Sequence, residues 1–160
     1  MGLPQGERLF IVAVTSAVIA VLMGLLSDRL EREVTKAQQM RAEFRLREIE
    51  AVVRLRESTL RVRGDMQRAL EFDGANPMRW LQTDELGMKT ELPDYLGEWP
   101  LEQAQNAHGK WVFDPGRRIL AHLPVTAGAE YGPKDWQRYR LTVTRTERGA
   151  VTGLVLQRSM

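Results

Sequence analysis

The sequence contains no cysteine. That excludes disulfides, thiolate nucleophiles, Cys-ligated zinc and iron–sulfur clusters together. Histidine is scarce, with two in 160 residues, His108 and His122, and they form no H-E-x-x-H or other close ligand pair. There is no Gly-rich phosphate loop. Ser16, Ser27, Ser58 and Ser159 fall at membrane, membrane-edge, helix and terminal positions, none of them a nucleophile elbow. The adjacent acids Asp84 and Glu85 read as solvated loop residues and not as a general acid/base couple. An excess of one charge is also missing: 23 Lys and Arg are interleaved with 21 Asp and Glu, the pattern of a solvated surface and not of a nucleic-acid patch. These absences predict a non-catalytic protein with no cofactor, no metal and no nucleic-acid partner.

What is present is unevenly spread. A mean hydropathy of −0.35 suggests a soluble chain, yet residues 9–26 carry no charge, and only Thr15, Ser16 and Gly24 there lie outside the hydrophobic set. As a helix this run spans roughly 27 Å, close to the roughly 30 Å hydrocarbon core of a bilayer. It is longer than the apolar region of a signal peptide, and no A-x-A-like cleavage site follows it. The spacing predicts a transmembrane helix over 9–26 in contact with membrane lipid, after a short polar segment, 1–8. Charge counting leaves its orientation open. Arg29, Arg32, Lys36, Arg41 and Arg45 follow the run and Arg8 precedes it, but acids are interspersed and long domains translocate largely regardless of charge.

Proline is absent between Pro4 and Pro77, and glycine between Gly24 and Gly64. The residues between are good helix formers. Asp28 and Arg32, Glu43 and Arg47, Glu50 and Arg54, and Glu57 and Arg61 stand at i, i+4 with the acid first, the better orientation. The spacing predicts that the membrane helix continues as a charged amphipathic helix over 27–72. One apolar stripe runs Leu30, Val34, Ala37, Met40 and Phe44. A second runs Leu46, Ile49, Val53 and Leu60, broadened by Val52 and interrupted by Arg56. The offset between them excludes a sustained heptad. The second stripe is expected against the C-terminal head; Leu30, Val34, Met40 and Phe44 are expected to face other chains or solvent.

Gly74, Asn76 and Pro77 break the helical pattern. One helical turn carrying Trp80 and a loop-like stretch with Gly87, Pro93, Gly97 and Pro100 are expected next. "KWVFDPGRRILAHL" reads as a hairpin turning at Asp114, Pro115 and Gly116. Tyr139, Leu141 and Val143 alternate with polar residues as a half-buried strand, and 151–157 forms the last strand. The expected head, 73–160, is thus a small four-stranded antiparallel sheet packed on the long helix, an α+β fold. The four tryptophans, Trp80, Trp99, Trp111 and Trp136, are all in the head and are expected to build its core and loop contacts.

This order of parts resembles the type IV pilin and type II secretion pseudopilin group. "NPMRWL", "DYLGEWP" and "GKWVFDPGRRILAHLP" are similar to segments of minor pilin-like proteins with a W-x-F-D, turn, apolar-strand pattern. In that family a glutamate five residues after the cleavage site begins the apolar helix, and Glu7 looks like it; Gly2 would then precede the cleavage point and Leu3 follow it. The start "LPQGE" is polar where the family has an apolar F-T-L-I-E-like start. The resemblance implies a minor or accessory subunit in the bacterial inner membrane, single-pass, with a periplasmic head. Its partners would be other pilin-like subunits or assembly-platform proteins. Glu7 would be an assembly residue, paired with a neighbouring subunit's terminal amine or locally with Arg8. Glu7 and Arg8 equally read as an interfacial charge pair at the membrane edge. A second function fits the same sequence: a single-pass scaffold of the assembly platform or of another envelope complex.

Overall fold

A computed structural model of the chain describes residues 5–83, 90–104, 107–125 and 136–159, with side chains in α1 from residue 12 onward. The chain divides into two compact units, Met1–Ala37 and Gln38–Met160, and helix α1 (Gln5–Val62) contributes to both. Two of the anticipated i, i+4 pairs close as ion pairs, Glu50–Arg54 at 3.7 Å and Glu57–Arg61 at 2.6 Å. Exposed pairs of this kind add only about 0.2–0.5 kcal/mol each, so burial of one face decides where the helix packs.

The α-helix does not reach Phe72. It stops at Val62, where Gly64 adopts φ +70°. The Asp65 N–H donates to the Leu60 carbonyl (3.0 Å) and the Gly64 N–H to Arg61 (3.1 Å). This paired 6→1 and 5→2 arrangement needs a left-handed residue, which glycine supplies without a Cβ clash. The chain then runs on as a 3-10 helix, Met66–Phe72, and a short helix α2 (Met78–Gln82) carries Trp80 as expected. Ahead of α2, the Asn76 side-chain oxygen accepts the Met78 N–H (3.0 Å).

The sheet has five strands, β1 (Tyr95–Glu98), β2 (Trp111–Asp114), β3 (Ile119–His122), β4 (Gln137–Arg145) and β5 (Val151–Ser159), in that spatial order. β2 to β5 pair antiparallel, but β1 pairs parallel to β2. The sheet is therefore mixed, and the four-stranded antiparallel expectation is corrected. Pro93, Gly97 and Pro100 punctuate the residues of β1 and their flanks, whose local sequence carries the signal of a loop. They qualify as a strand only because β2 offers an edge: the Trp111 N–H donates to the Asp94 carbonyl (2.7 Å) and the Trp99 N–H to the Phe113 carbonyl (2.9 Å). The connection through residues 99–110 is long enough to return the chain to a parallel neighbour.

Alternation sorts the side chains of β2 and β3 onto two cores. Trp111, Phe113 and Leu120 face α1 and pack with Ile49, Val53, Leu141 and Leu154. Val112, Ile119 and Ala121 face the other way, under Leu101, Leu123 and Trp136. Both strands are consequently buried on both sides, whereas β4 is only half-buried. A third small cluster, Leu60, Ala69 and Val151, seats the 3-10 helix.

Candidate functional site: the uncovered length of helix α1

Apolar side chains on α1 have two fates. In the head unit, Ile49 and Val53 are fully enclosed by the sheet, and Leu60 is buried against the 3-10 helix. Met40 and Phe44, in the same unit, are 64% and 65% exposed. In the N-terminal unit Leu30 and Val34 are 65% and 48% exposed, as are Val12, Val18, Leu22 and Leu25 before them. Among the described residues there is thus one helix long and apolar enough, by length and composition, to cross a membrane, and none of its most apolar window is buried. Leaving a large aliphatic side chain in water forfeits about 1.5–3 kcal/mol relative to burying it. A contiguous row of them is the kind of surface that marks an interaction site. Thr35, between Val34 and the charged residues that follow, returns its hydroxyl to the Glu31 carbonyl (2.9 Å).

Polar contacts hold the start of the covered length to the head. Arg45 donates from Nε and Nη2 to the two carboxylate oxygens of Asp94 (2.8 and 2.7 Å), and from Nη1 to Glu48 (2.7 Å). The bond to Asp94 foremost holds the Arg45 guanidinium above its ordinary pKa, against the opposing effect of burial. A two-pronged contact of this kind is among the stronger ion pairs. In the sequence Arg45 is only one of the charges that follow the apolar run, because Asp94 is far off along the chain. Arg56 is a second residue whose role the pattern hid. It interrupts the buried stripe because its guanidinium lies over the rings of Phe72 (5.2 Å) and Trp80 (5.8 Å).

At the other end of β1, Arg79 and Asn76 both donate to Glu98 (2.7 and 2.8 Å), and these bonds, Arg79's first, hold the Glu98 carboxyl below its usual pKa. At the β2–β3 turn, burial works to raise the Asp114 pKa. The backbone N–H groups of Arg117, Leu101 and Gly116 outweigh it and hold the carboxyl low. That network makes Asp114 a turn-former, which accounts for the D-P-G signal in the sequence.

Glu7 and Arg8 fall within α1, but their side chains lie outside the described residues, as do Asp84 and Glu85 entirely. Leu30, Val34, Met40 and Phe44 are all uncovered. Trp111 and Trp136 are buried and Trp80 partly so, in keeping with a core role, while Trp99 is 46% exposed. His122 ends β3 and is buried; His108 is exposed beside Gly109. Among the described residues no group of three or more His, Asp or Glu could hold a metal ion. No family model, curated protein or solved structure matches the chain.

Proposed function

We propose that this protein is a membrane-anchored, pilin-like subunit, a minor pilin or pseudopilin, serving type IV pilus or type II secretion assembly without catalysing a reaction. The observation that carries this reading is the bare apolar length of α1 ahead of a head that covers only the helix's later turns. A membrane-resident subunit needs such a helix to wait in lipid and, on assembly, to pack against the helices of other subunits. The head segments "NPMRWL" and "GKWVFDPGRRILAHLP" add the family-like pattern. In this reading the protein is a single-pass protein of the bacterial inner membrane with the head in the periplasm. Glu7, costly among apolar helices unless paired, sets register between subunits. The test is Glu7→Ala: the variant should stay in the membrane fraction and drop out of sheared filaments or of the pseudopilin complex. Unchanged incorporation would sink the reading.

The uncovered Leu30, Val34, Met40 and Phe44 favour a second reading, a single-pass scaffold of the assembly platform or of another envelope complex that pairs with a partner helix. Photocrosslinkers at these four positions should then trap one defined partner in membranes. A smear of unrelated products would count against it.

A further inference from the structure

In an antiparallel pair every second residue turns its N–H and C=O away from the neighbouring strand. Thr142 Oγ1 donates to the Val155 carbonyl (3.3 Å), so the backbone of Val155 faces β4. By the register, Leu154, Leu156 and Arg158 then face outward from β5, and Leu141 and Val143 outward from β4. Most of these groups are met from within the chain. The Gly74 N–H donates to the Leu141 carbonyl (2.8 Å) and the Val143 N–H to Asp73 (3.3 Å). At the start of β5, Arg61 donates to the Thr152 carbonyl (3.0 Å) and the Leu154 N–H reaches Glu57 (3.5 Å). At the far side of the sheet, β1 is four residues long and is broken by Gly97 at φ +115° and by a register shift.

Capping, shortness and irregularity are the ways in which proteins protect a sheet edge. The run 155–159 has none of them. It is the regular end of a nine-residue strand, and among the described residues nothing meets the outward N–H and C=O of Leu156 and Arg158. Two such residues, about 7 Å apart along the strand, offer four hydrogen bonds in step. Their side chains differ. Leu156 packs partly against the core on the α1 side, and Arg158 is exposed. The run carries no acid, and the β4 residues paired with Gln157 and Ser159 are Arg140 and Arg138. On α1, Glu50 is taken by Arg54, and Glu43 lines a cleft with Arg158 without an ion pair between them.

We propose that residues 155–159 are a docking edge for an extended segment of another protein, added antiparallel to β5, with an acidic residue opposite Arg158 and an aliphatic residue opposite Leu156. Main-chain bonds to a sheet edge supply affinity, and the alternate side chains supply specificity. Antiparallel addition lets each outward residue exchange both of its bonds with one partner residue. Opposite charges and apolar pairs directly across strands are the favourable ones. A second copy of this chain fits less well. Leu154 lies by Glu57, and Arg158 shares a cleft with Gln38, so β5 runs antiparallel to the 38–62 length of α1. Two copies joined by the same edge must pair antiparallel, which sends their chains out of the two heads at Gln38 in opposite directions. A common membrane does not allow that. This last step rests on the membrane anchor proposed above; the strand addition does not.

The test uses the full chain in detergent micelles, labelled with ¹⁵N-leucine, with the Leu156 amide identified by its loss in Leu156→Val. The probe is the blocked peptide acetyl-Thr-Thr-Glu-Thr-Val-Thr-Thr-amide, whose Glu would stand opposite Arg158 and whose Val would stand opposite Leu156. It should shift the Leu156 amide saturably at roughly millimolar concentration and slow its exchange with solvent, leaving the Leu120 amide unchanged. Lys in place of the peptide's Glu should weaken binding at least about fivefold, and on an Arg158→Glu chain that order should reverse. Pro in place of the peptide's Val removes the N–H that the Leu156 carbonyl accepts and should abolish the shift. No saturable shift, equal binding of the Pro peptide, or equal binding of the Glu and Lys peptides would overturn the site. Protection of the Leu156 amide that grows with protein concentration and without peptide would make a second copy the occupant and overturn the partner assignment. The peptide comparison on the unsubstituted chain stands even if Arg158→Glu disturbs the fold. A chain that fails to enter membranes would refute the anchor and leave the peptide result intact.

Discussion

Ile49 and Leu30 are both aliphatic residues on α1, yet one is wholly enclosed and the other 65% exposed. The difference is not in the helix. Both lie in the same continuous element, in similar charge-laced sequence. It lies in what each is given to pack against: Ile49 meets Trp111, Phe113 and Leu120 from the sheet, and among the described residues nothing covers Leu30. One helix therefore does two jobs. Its later turns complete the core of a small head that would otherwise bury little, since small domains are marginal by themselves. Its earlier turns leave their apolar surface uncovered.

The sharpest way to break this contrast is truncation at both places. Ile49→Ala should destabilise the head by about 2–5 kcal/mol, the cost of a cavity in a closed core. Leu30→Ala and Phe44→Ala should change head stability by less than about 0.5 kcal/mol. Urea unfolding of the full chain in micelles, followed by tryptophan emission, measures all three. Similar losses at Ile49 and Leu30 would mean that the two lengths of helix are not different in kind.

A second effect belongs to the head, in the sheet that covers the later turns of α1. Burial depresses the His122 pKa to about 4, partly countered by the negative charge of Asp94. The unfolded chain binds a proton near pH 6.5 that the folded chain refuses until about pH 4. Stability is thus present in full above about pH 6.5 and is lost as pH falls through the window to 4, by about 3 kcal/mol in total. His122→Phe should flatten that part of the profile. A wild-type head equally stable at pH 7 and pH 4.5 would contradict the burial of His122.

The smallest effect is at Arg56, where the two rings of Phe72 and Trp80 are held under a guanidinium. Arg56→Ala should cost about 0.5–1 kcal/mol, and Arg56→Lys part of that. A neutral outcome would make Arg56 a plain surface residue and would remove one of the contacts that distinguish the covered length.

How much of this was legible in advance follows from how local each signal is. The apolar run 9–26, the long helix and the β2–β3 hairpin rest on neighbours in sequence, and they were readable. So was the inward set Ile49, Val53 and Leu60, because helical spacing alone lines them up. Gly64 was in plain view as the first glycine after Gly24, but its meaning depended on the two backbone bonds it closes. Strand β1 was unreadable for a deeper reason: Tyr95–Glu98 has glycine inside and proline on both flanks, and only the free edge of β2 makes it a strand. That half of the β5 edge is bare depends on which backbone groups Glu57 and Arg61 of α1 reach, which no window of sequence contains.

By itself, then, the sequence determined the parts: an uncharged segment long enough for a membrane, a helix that charge pairs keep soluble, and strands whose alternation marks an inner face. These follow from local propensity and periodicity, which act over a few residues. The tertiary structure decided which length of α1 is covered, that the sheet is mixed with five strands, and that Arg45 grips Asp94. Those are outcomes of contact between residues distant in sequence, where burial and edge pairing, not propensity, set the energy.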